Sequence, residues 1–288
     1  MNSINFLKNN LIAHRGYHDI SQGIPENTLS AFQKAVDLKY AIELDIHILK
    51  DNIVVVFHDD DLKRMAGIDK PLKDCTYDDL KDLKLQGTDY TIPTFEEVLK
   101  LVDGKVPLLV EFKTDYNLKG LLKEAMKLLQ NYNGKYAVQS FHPGCVNYFK
   151  RNYPNIPRGQ LAYDFKKDKI PHFAKLMLRN MFFNFLTKPD FISYNIDNYN
   201  LNKIFKWKKK RTILGWTIRD KKQYEANKDI FDILICENID EYFSQKDEKK
   251  QSGRSKFIES LQIAPLVSAP NNLQSPNKPN YLESHLTL

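Results

Sequence analysis

The sequence contains few cysteines and no long apolar run. Its 288 residues include three cysteines, Cys75, Cys145 and Cys236, which are widely spaced and form no CxxC pair typical of a zinc or redox site. No stretch of about 18 uncharged apolar residues occurs, and residues 1–10 lack the apolar core and small-residue cleavage site of a secretory leader. We therefore expect a cytoplasmic protein from a reducing compartment, which does not span a membrane.

A concentrated basic patch is also lacking, although the chain is basic overall. The net charge is +7 and the isoelectric point is about 9.0, which can attract phosphate groups, anionic membranes or nucleic acid. The lysines are scattered except in the KKKR run at residues 208–211. Such a run is more typical of a solvated helix end than of a nucleic-acid site, so we expect no nucleic-acid partner.

The end of the chain lacks the apolar residues that a packed core needs. Residues 245–288 are rich in Ser, Asn, Gln and Pro, and prolines interrupt any periodic pattern at Pro265, Pro270, Pro276 and Pro279. Such a segment cannot bury enough apolar surface to offset the loss of chain entropy on folding. We predict one domain at residues 1–244 and a disordered Ser/Asn/Gln/Pro-rich tail at residues 245–288.

Short apolar runs alternate with helical patterns over residues 11–235, which is typical of repeated βα units around a parallel sheet. Eight such units predict an α/β fold, a TIM (β/α)8 barrel, with a small insertion after the second strand at about residues 60–92. Helix starts at Thr76 and Thr94 support the count, because each threonine stands three residues before a carboxylate that can complete a capping box. The predicted strands are Leu11–His14, Ala41–His47, Val106–Lys113, Tyr136–Gln139, Arg158–Ala162, Phe191–Tyr194, Thr212–Trp216 and Asp232–Cys236.

Polar residues stand where several apolar runs stop. His14 follows a run that ends at Ala13, Glu43 and Asp45 lie on the second predicted strand, and His58 follows the IVVVF run at residues 53–57. Titratable groups gathered at one end of a barrel are typical of a catalytic site.

These residues belong to an ordered set of motifs. The set is His14-Arg15-Gly16, Pro25-Glu26-Asn27-Thr28 with Ala31-Phe32, Glu43 with Asp45, His58-Asp59, and Glu111-Phe112-Lys113. This order resembles the glycerophosphodiester phosphodiesterase family, whose pattern is HRG, PENT with a later AF, ExD, HD and ExK. The resemblance spans about residues 10–240. It implies a TIM-barrel phosphoric diester hydrolase that acts on a small glycerophosphodiester.

Glu43, Asp45 and Glu111 form a predicted acidic cluster. Side chains alternate along a strand, so Glu43 and Asp45 point to one side, as do Glu111 and Lys113 on the next strand. Uncompensated carboxylates in one barrel mouth repel each other, and an all-oxygen set favours one divalent cation, Mg²⁺ or Ca²⁺, over zinc. Ordinary ion pairs with lysine or arginine are the alternative. The resemblance independently implies that these three residues are metal ligands.

His14 and His58 suit proton transfer, because an imidazole titrates near neutral pH and can accept or donate a proton. The resemblance implies that they act as general acid and general base, in either order. A packed structural role is the alternative for a histidine. His47 continues the strand face of Glu43 and Asp45. It could pack as a structural residue or orient the metal ligands by hydrogen bonding, and both roles are equally open.

Arg15 and Lys113 would place fixed positive charge where a phosphoryl group needs its non-bridging oxygens stabilised. The resemblance implies that both contact phosphate, and pairing with the nearby carboxylates is the alternative. Trp216 and Phe141 follow or end predicted strands and are weaker candidates for walls around a glycerol moiety. Core packing explains these two aromatic residues equally well.

The leading hypothesis is metal-dependent hydrolysis of glycerophosphodiesters to sn-glycerol 3-phosphate and an alcohol. Either the glycerol 2-hydroxyl attacks phosphorus to give a cyclic phosphate, or water attacks directly. The first alternative is a lysophospholipase D at a membrane surface, suggested by Phe173–Leu186, which resembles a basic amphipathic helix. We favour a helix buried against the barrel for this segment, so membrane association is not the preferred prediction. The second alternative, a catalytically silent phosphate-binding barrel, conflicts with the complete motif set.

Overall fold

The computed structural model describes residues 3–8, 11–113, 116–165, 171–197 and 199–242. Eight strands are parallel and pair in the order β1-β2-β4-β5-β6-β7-β8-β9, and β9 pairs back to β1, which closes the barrel. The predicted TIM barrel is confirmed. The predicted tail lies outside the described residues. Within them the strands are β1 Ile12–Ala13, β2 Ala41–Ile48, β3 Val54–Val56, β4 Leu108–Phe112, β5 Tyr136–Ser140, β6 Arg158–Ala162, β7 Phe191–Asn195, β8 Thr212–Ile218 and β9 Ile233–Cys236.

Helices connect and cover the strands, and their starts follow the predicted capping signals. The Thr94 hydroxyl accepts from Glu97 N at 3.2 Å, and the Glu97 carboxylate accepts from Thr94 N at 2.8 Å. A capping box is also present at Thr76. The helices are α1 Asn5–Lys8, α2 Leu29–Asp37, α3 Lys63–Ala66, α4 Tyr77–Leu80, α5 Phe95–Val102, α6 Leu118–Leu129, α7 Pro143–Asn152, α8 His172–Arg179, α9 Asn184–Thr187, α10 Leu201–Lys208 and α11 Lys221–Asn227.

The barrel interior changes from apolar to polar along the strands. Near the strand starts lies a buried apolar cluster, which includes Leu7 of α1 together with Ile12, Ala41, Leu109, Ala137, Phe191, Leu214, Ile233 and Ile235. Two residues further along β2, β4 and β5, the same strand faces carry Glu43, Glu111 and Gln139, because side chains alternate along a strand. Apolar packing therefore fills one end of the barrel, and titratable groups occupy the other.

β3 and the insertion form an addition to the barrel. Val55 of β3 pairs antiparallel with His47 of β2, so the chain reverses before it enters the insertion. Residues 60–92 contribute Leu62, Met65, Leu72, Cys75, Leu80, Leu85 and Ile92 to a separate cluster of buried residues, built on Leu49, Val55 and Phe57. The small insertion is confirmed, and it has a hydrophobic cluster of its own beside the main core.

The burial predicted for the apolar face of Phe173–Leu186 is wrong for most of its side chains. The segment forms α8, a turn and α9, and Leu178 and Met181 are buried against the barrel. Five of its nine large apolar side chains face solvent, namely Phe173, Leu176, Phe182, Phe185 and Leu186, whereas Met177 and Phe183 are partly buried. No helix in the described part of the chain has the length and apolar character needed to cross a membrane.

Candidate active site

Three buried carboxylates lie together towards the carboxyl end of the barrel strands. Asp45 of β2 is in register with Glu111 of β4, and Glu43 lies two residues before Asp45 on the same strand face. Ligand oxygens of the three side chains lie within 4.8 Å of one another, and all three residues are almost completely buried. The structure therefore brings the three predicted metal ligands into one cluster.

Burial and mutual repulsion oppose full ionisation of this cluster. Burial, together with the charges of Asp45 and Glu111, raises the pKa of Glu43 well above its ordinary value. Burial also raises the pKa of Glu111, although Lys113 opposes this. Burial acts in the same direction on Asp45, but Lys113, His58 and other cations hold the pKa of that carboxyl below its ordinary value. A divalent cation fits these oxygen donors, since its charge would offset the repulsion.

Two cations border the cluster. Lys113 Nζ lies 3.0 Å from Asp45 Oδ1 and 2.7 Å from Glu111 Oε1. The Arg15 backbone N–H donates to Glu43 Oε2 at 3.2 Å, and Arg15 Nε lies 3.6 Å from Asp45 Oδ2. The ion pairs that are the alternative explanation for Arg15 and Lys113 are therefore present. They also place both positive charges at the acidic cluster, where a phosphate would need them.

The loop that carries Arg15 is fixed against α2. Gly16 has a φ of +80°, and a Cβ at this position would lie 2.9 Å from Phe32 Cδ1, so the loop requires glycine. Asn27 has a φ of 54° and donates through Nδ2 to Asp45 Oδ2 at 3.0 Å. The HRG and PENT motifs thus order one loop over the acidic cluster.

His14 follows β1 and contacts Glu237, which follows β9. These two strands are neighbours in the closed barrel, with Ala13 opposite Cys236, so the next residues along each strand lie side by side. His14 Nδ1 lies 2.7 Å from Glu237 Oε1. A carboxylate that accepts the Nδ1 proton leaves Nε2 as the nitrogen for proton transfer. Burial and Arg15 lower the pKa of His14, although Glu237 opposes this shift.

His58 has a similar carboxylate contact but a different structural origin. It follows β3, so the prediction that both histidines stand at ends of barrel strands is wrong for His58. His58 Nδ1 lies 2.6 Å from Asp59 Oδ1, and His47 Nε2 lies 3.3 Å from the His58 carbonyl oxygen. His47 thereby contacts the backbone of the candidate catalytic residue. Burial, with Arg15 and Lys113, lowers the pKa of His58 well below its ordinary value.

Arg64 of α3 joins two acidic residues beside the site. Its Nε donates to Asp59 Oδ2 at 2.6 Å, and its Nη2 donates to Glu26 Oε1 at 2.6 Å. Glu26 also accepts from Arg15 Nη1 at 2.7 Å. These contacts connect the loop of Arg15 with Asp59, the residue that holds His58, and they place Glu26 beside the site.

Sequence reasoning gave no role to Glu237, Asp59 or Arg64. The sequence did contain a signal for Glu237. The first and last strands of a closed barrel are neighbours, so a carboxylate directly after the last strand is expected to lie beside His14, which directly follows the first strand. Asp59 is adjacent to His58 in the chain, but adjacency alone does not show which ring nitrogen it contacts. No pattern indicated Arg64, since its contact with Asp59 depends on how the insertion folds.

Trp216 and Phe141 lie in one aromatic cluster. Their ring centroids are 5.8 Å apart, and the centroid of Phe141 lies 5.7 Å from that of Tyr163. Gln160 Nε2 donates to the Phe141 carbonyl oxygen at 2.9 Å. Trp216 Nε1 is buried without a hydrogen-bond partner among the described residues. The two predicted wall residues therefore pack against each other.

A second group of possible metal ligands overlaps the first histidine. Ligand atoms of His14, His18 and Glu237 lie within 4.8 Å of one another. His18 lies in the loop of Arg15 and is only partly exposed. The overlap matters because a metal ion bound there would occupy the imidazole that the acid–base hypothesis requires.

Comparison with known proteins identifies the family. The model of the Glycerophosphoryl diester phosphodiesterase family matches residues 14–241. The chain belongs to this family. The match starts at His14 and continues past Glu237, so it includes these two residues, which contact each other, as well as the acidic cluster. This glycerophosphodiester phosphodiesterase family member is accordingly a phosphoric diester hydrolase, and the resemblance in its motifs is confirmed.

Individual relatives of this phosphodiesterase cover different shares of the chain. The Bacillus subtilis (strain 168) protein YhdW is 33% identical over 226 residues, which are 74% of this chain and 87% of YhdW. The Homo sapiens protein named Lysophospholipase D GDPD1 is 33% identical over 135 residues, which are 42% of this chain and 41% of that protein.

A solved phosphodiesterase structure shares the fold. The Oleispira antarctica phosphodiesterase, in complex with the product sn-glycerol-3-phosphate, has a TM-score of 0.67 and 20% sequence identity. The similarity covers 84% of this chain and 97% of that chain. At 20% identity, this similarity shows that the two proteins share the barrel fold.

Proposed function

We propose that the protein hydrolyses glycerophosphodiesters to sn-glycerol 3-phosphate and an alcohol such as choline, ethanolamine or glycerol. The observation that carries the proposal is the pair of histidines, His14 and His58, each held by a carboxylate at Nδ1 and both close enough to Asp45 to interact with its charge. The product bound to the Oleispira antarctica phosphodiesterase supports the choice of sn-glycerol 3-phosphate.

Proton transfer is assigned to the Nε2 atoms of the two histidines. The reaction needs one group to remove a proton from the attacking hydroxyl and another to protonate the leaving alkoxide as its P–O bond breaks. Glu237 and Asp59 fix the Nδ1 atoms, and the lowered pKa values of both histidines favour the neutral ring that the base needs at pH 7, with Nε2 able to accept a proton. The histidine that acts as the acid must first take up a proton at Nε2, and the carboxylate at its Nδ1 stabilises the imidazolium so formed. Either histidine can take either role, with the glycerol 2-hydroxyl or water as nucleophile.

Glu43, Asp45 and Glu111 are the proposed ligands of one divalent cation, Mg²⁺ or Ca²⁺. The family is generally dependent on divalent metals, and the cluster supplies buried oxygen donors with too little positive charge around them. When bound, such an ion would act as a Lewis acid towards the phosphoryl group. Arg15 and Lys113 would bind the non-bridging oxygens. Trp216 and Phe141 would line the space for the glycerol moiety.

The test is a substrate panel combined with chelation. Glycerophosphocholine, glycerophosphoethanolamine, glycerophosphoglycerol and a lysophospholipid are each assayed with Mg²⁺, Ca²⁺ or Mn²⁺ and after EDTA. We expect turnover of the three small diesters, loss of turnover after EDTA, and recovery when metal is restored. Full activity after exhaustive EDTA treatment, with metal content measured, would remove the metal from the proposal.

Substitutions of the histidines test the acid–base assignment. His14→Ala and His58→Ala should each lower kcat by on the order of 10² to 10⁴ while the circular dichroism spectrum stays unchanged. His172→Ala is the matched control, because His172 is exposed at the start of α8. A folded His14→Ala or His58→Ala variant with wild-type turnover would make that histidine structural.

Lysophospholipase D activity is the second candidate function. The exposed apolar side chains of residues 173–186 and the similarity to the human protein of that name favour it. We favour small diesters, because the insertion beside the site exposes many charged side chains, such as those of Lys63 and Asp69, and only two large apolar ones, Ile68 and Tyr90, among the described residues. A higher kcat/KM for the lysophospholipid than for glycerophosphocholine would reverse this preference. The proposed cytoplasmic location is supported by three cysteines that are free and buried.

A further inference from the structure

An exposed apolar surface lies on the helices that follow β6. It consists of five side chains, Phe173, Leu176, Phe182, Phe185 and Leu186, and we call it the 173–186 surface. The three phenylalanines are 72%, 52% and 66% exposed, respectively. With roughly 200 Å² for each aromatic side chain, these rings alone present on the order of 400 Å² to solvent. That area is within the range of the largest apolar patch on a typical monomer, which is often functional.

The 173–186 surface belongs to a segment with an anchored underside. Leu178 and Met181 point to the barrel and are 8% and 6% exposed. Phe182 contacts Phe183 and Phe185 with ring centroids 6.2 and 5.3 Å apart. The exposed rings of Phe182 and Phe185 therefore contact each other on the outer side of a docked segment.

The charged side chains within this segment have one sign. Residues 171–188 contain Lys175, Arg179 and Lys188 and neither aspartate nor glutamate. Two further lysines contact the segment: Lys203 of α10 donates to Asn180 Oδ1 at 2.6 Å, and Lys150 of α7 donates to the Leu186 carbonyl oxygen. All charged residues of this segment are positive, so the segment combines apolar and positively charged side chains. Such a surface complements an anionic surface.

Its position connects the surface with the site. α8 follows the connection after β6, which leaves the barrel at the carboxyl end of the strands. In that connection Tyr163 and Phe165 have ring centroids 4.0 Å apart, and Tyr163 contacts Phe141, which contacts Trp216. A continuous row of aromatic side chains therefore extends from the candidate glycerol wall towards α8.

We propose that the 173–186 surface binds the face of an anionic phospholipid bilayer. Aromatic and leucine side chains would enter the boundary between headgroups and acyl chains, and the surrounding lysines and arginine would contact lipid phosphates. A protein groove would accept the apolar side chains equally well, but the uniform positive charge favours the anionic lipid. The proposal is independent of the reaction assigned above, because it concerns residues outside the candidate catalytic and metal-binding set.

Sedimentation with vesicles tests the proposal. Vesicles of phosphatidylcholine alone are compared with vesicles that also contain phosphatidylglycerol, at low and high salt. The full chain should bind the phosphatidylglycerol vesicles, and high salt should weaken this binding. Phe182→Ser/Phe185→Ser should reduce binding by about tenfold or more, since two exposed rings are removed from the contact. Lys175→Gln/Lys188→Gln should weaken binding to phosphatidylglycerol vesicles at low salt.

The matched control is Ile68→Ser/Tyr90→Ser. These two side chains are 41% and 40% exposed on the insertion, away from the 173–186 surface, so this variant should bind like the wild type. Turnover of glycerophosphocholine and circular dichroism check that every variant is folded.

Four results would overturn the proposal. The first is that the wild type binds no phosphatidylglycerol vesicles. The second is that it binds both vesicle types equally at all salt concentrations. The third is that Phe182→Ser/Phe185→Ser binds as the wild type does. The fourth is self-association of the wild type that this variant loses without any vesicle binding, which would assign the surface to a second copy of the chain.

Discussion

Glu43 differs from the other two buried carboxylates in the groups that offset its negative charge. Lys113 contacts Asp45 and Glu111, whereas Glu43 accepts a backbone hydrogen bond from Arg15. Its pKa is raised above the ordinary value of 4.5 by burial and by the neighbouring carboxylates. As the pH rises above 4.5, the unfolded chain therefore loses a proton that the folded metal-free protein retains, and the free energy of unfolding decreases.

Glu43→Gln should raise the Tm of the EDTA-treated protein by about 2–8 °C at pH 8, because it removes this unfavourable group. The gain should vanish below pH 4.5, where Glu43 is protonated in both states. The same substitution should abolish the effect of added metal on Tm. Thermal unfolding between pH 4 and pH 8 provides the measurement, and Glu96→Gln on the exposed face of α5 is the control. A lower Tm for metal-free Glu43→Gln would contradict this account.

Glu237 orients His14 without belonging to the predicted site. We expect Glu237→Gln to lower kcat by roughly 10² or more, because a glutamine amide can donate to Nδ1 and thereby stabilise the wrong ring tautomer. KM should change little, and Glu237→Asp should restore part of the activity. The pH profile of kcat/KM should also shift, which a purely structural defect would not cause. Glu225→Gln on α11 is the control, since Glu225 is exposed and pairs with Lys228. Equal activity of both variants would refute the role of Glu237.

At the scale of elements, β3 and α3 determine where His58 lies. β3 ends at Val56, two residues before His58, and α3 carries Arg64, which binds the Asp59 carboxylate. The insertion therefore contributes to the site through the orientation of His58. This explains why a short segment outside the barrel has a small hydrophobic cluster that fixes its position.

Arg64→Gln should lower kcat by about 10- to 100-fold, because Asp59 would lose the contacts that fix it against His58. Lys63→Gln, on the same helix, should have no effect, since Lys63 is exposed and contacts Asp69. Steady-state kinetics with glycerophosphocholine separates kcat from KM. The prediction fails if Arg64→Gln affects only Tm.

Some strands inside the barrel, such as Leu108–Phe112 and Ile233–Cys236, were predictable because burial on both faces gives them a compact apolar run. Arg158–Ala162 was predicted with its observed bounds, and Ala41–His47 ended one residue early. The antiparallel pairing of the run at residues 53–57 with β2 was not predictable, because a short valine-rich segment carries no information on strand direction. Similarly, the pattern of Phe173–Leu186 distinguishes an apolar helix face from a basic one, but it does not indicate which face packs against the barrel.

The acidic cluster was predictable for a related reason. Alternation on one strand puts Glu43 and Asp45 on one face, and barrel closure brings Glu111 beside them. The contact of His14 with Glu237 joins the first and last strands, and the contact of Arg64 with Asp59 depends on the fold of the insertion. Such contacts require three-dimensional distances that sequence spacing does not contain.

At the scale of the whole molecule, the barrel is complete shortly after β9. Ile239 and Tyr242 are 1% and 2% exposed. The Tyr242 hydroxyl donates to the Ile218 carbonyl oxygen at 3.0 Å, and its ring stacks on Tyr224 with centroids 5.3 Å apart. Residues 239–242 therefore belong to the packed domain, which sets a lower limit for any shortened chain that keeps the fold.

A chain that ends at residue 244 should keep the Tm and the glycerophosphocholine turnover of the full protein, because all eight barrel strands and the Tyr242 contacts remain. A chain that ends at residue 238 should lose about 5 °C or more in Tm, since it removes the buried Ile239 and Tyr242 side chains. Thermal unfolding and kcat/KM of the three proteins provide the comparison. A large loss of Tm in the longer truncation would show that residues 245–288 stabilise the barrel, and the proposed domain boundary at 244 would then be wrong.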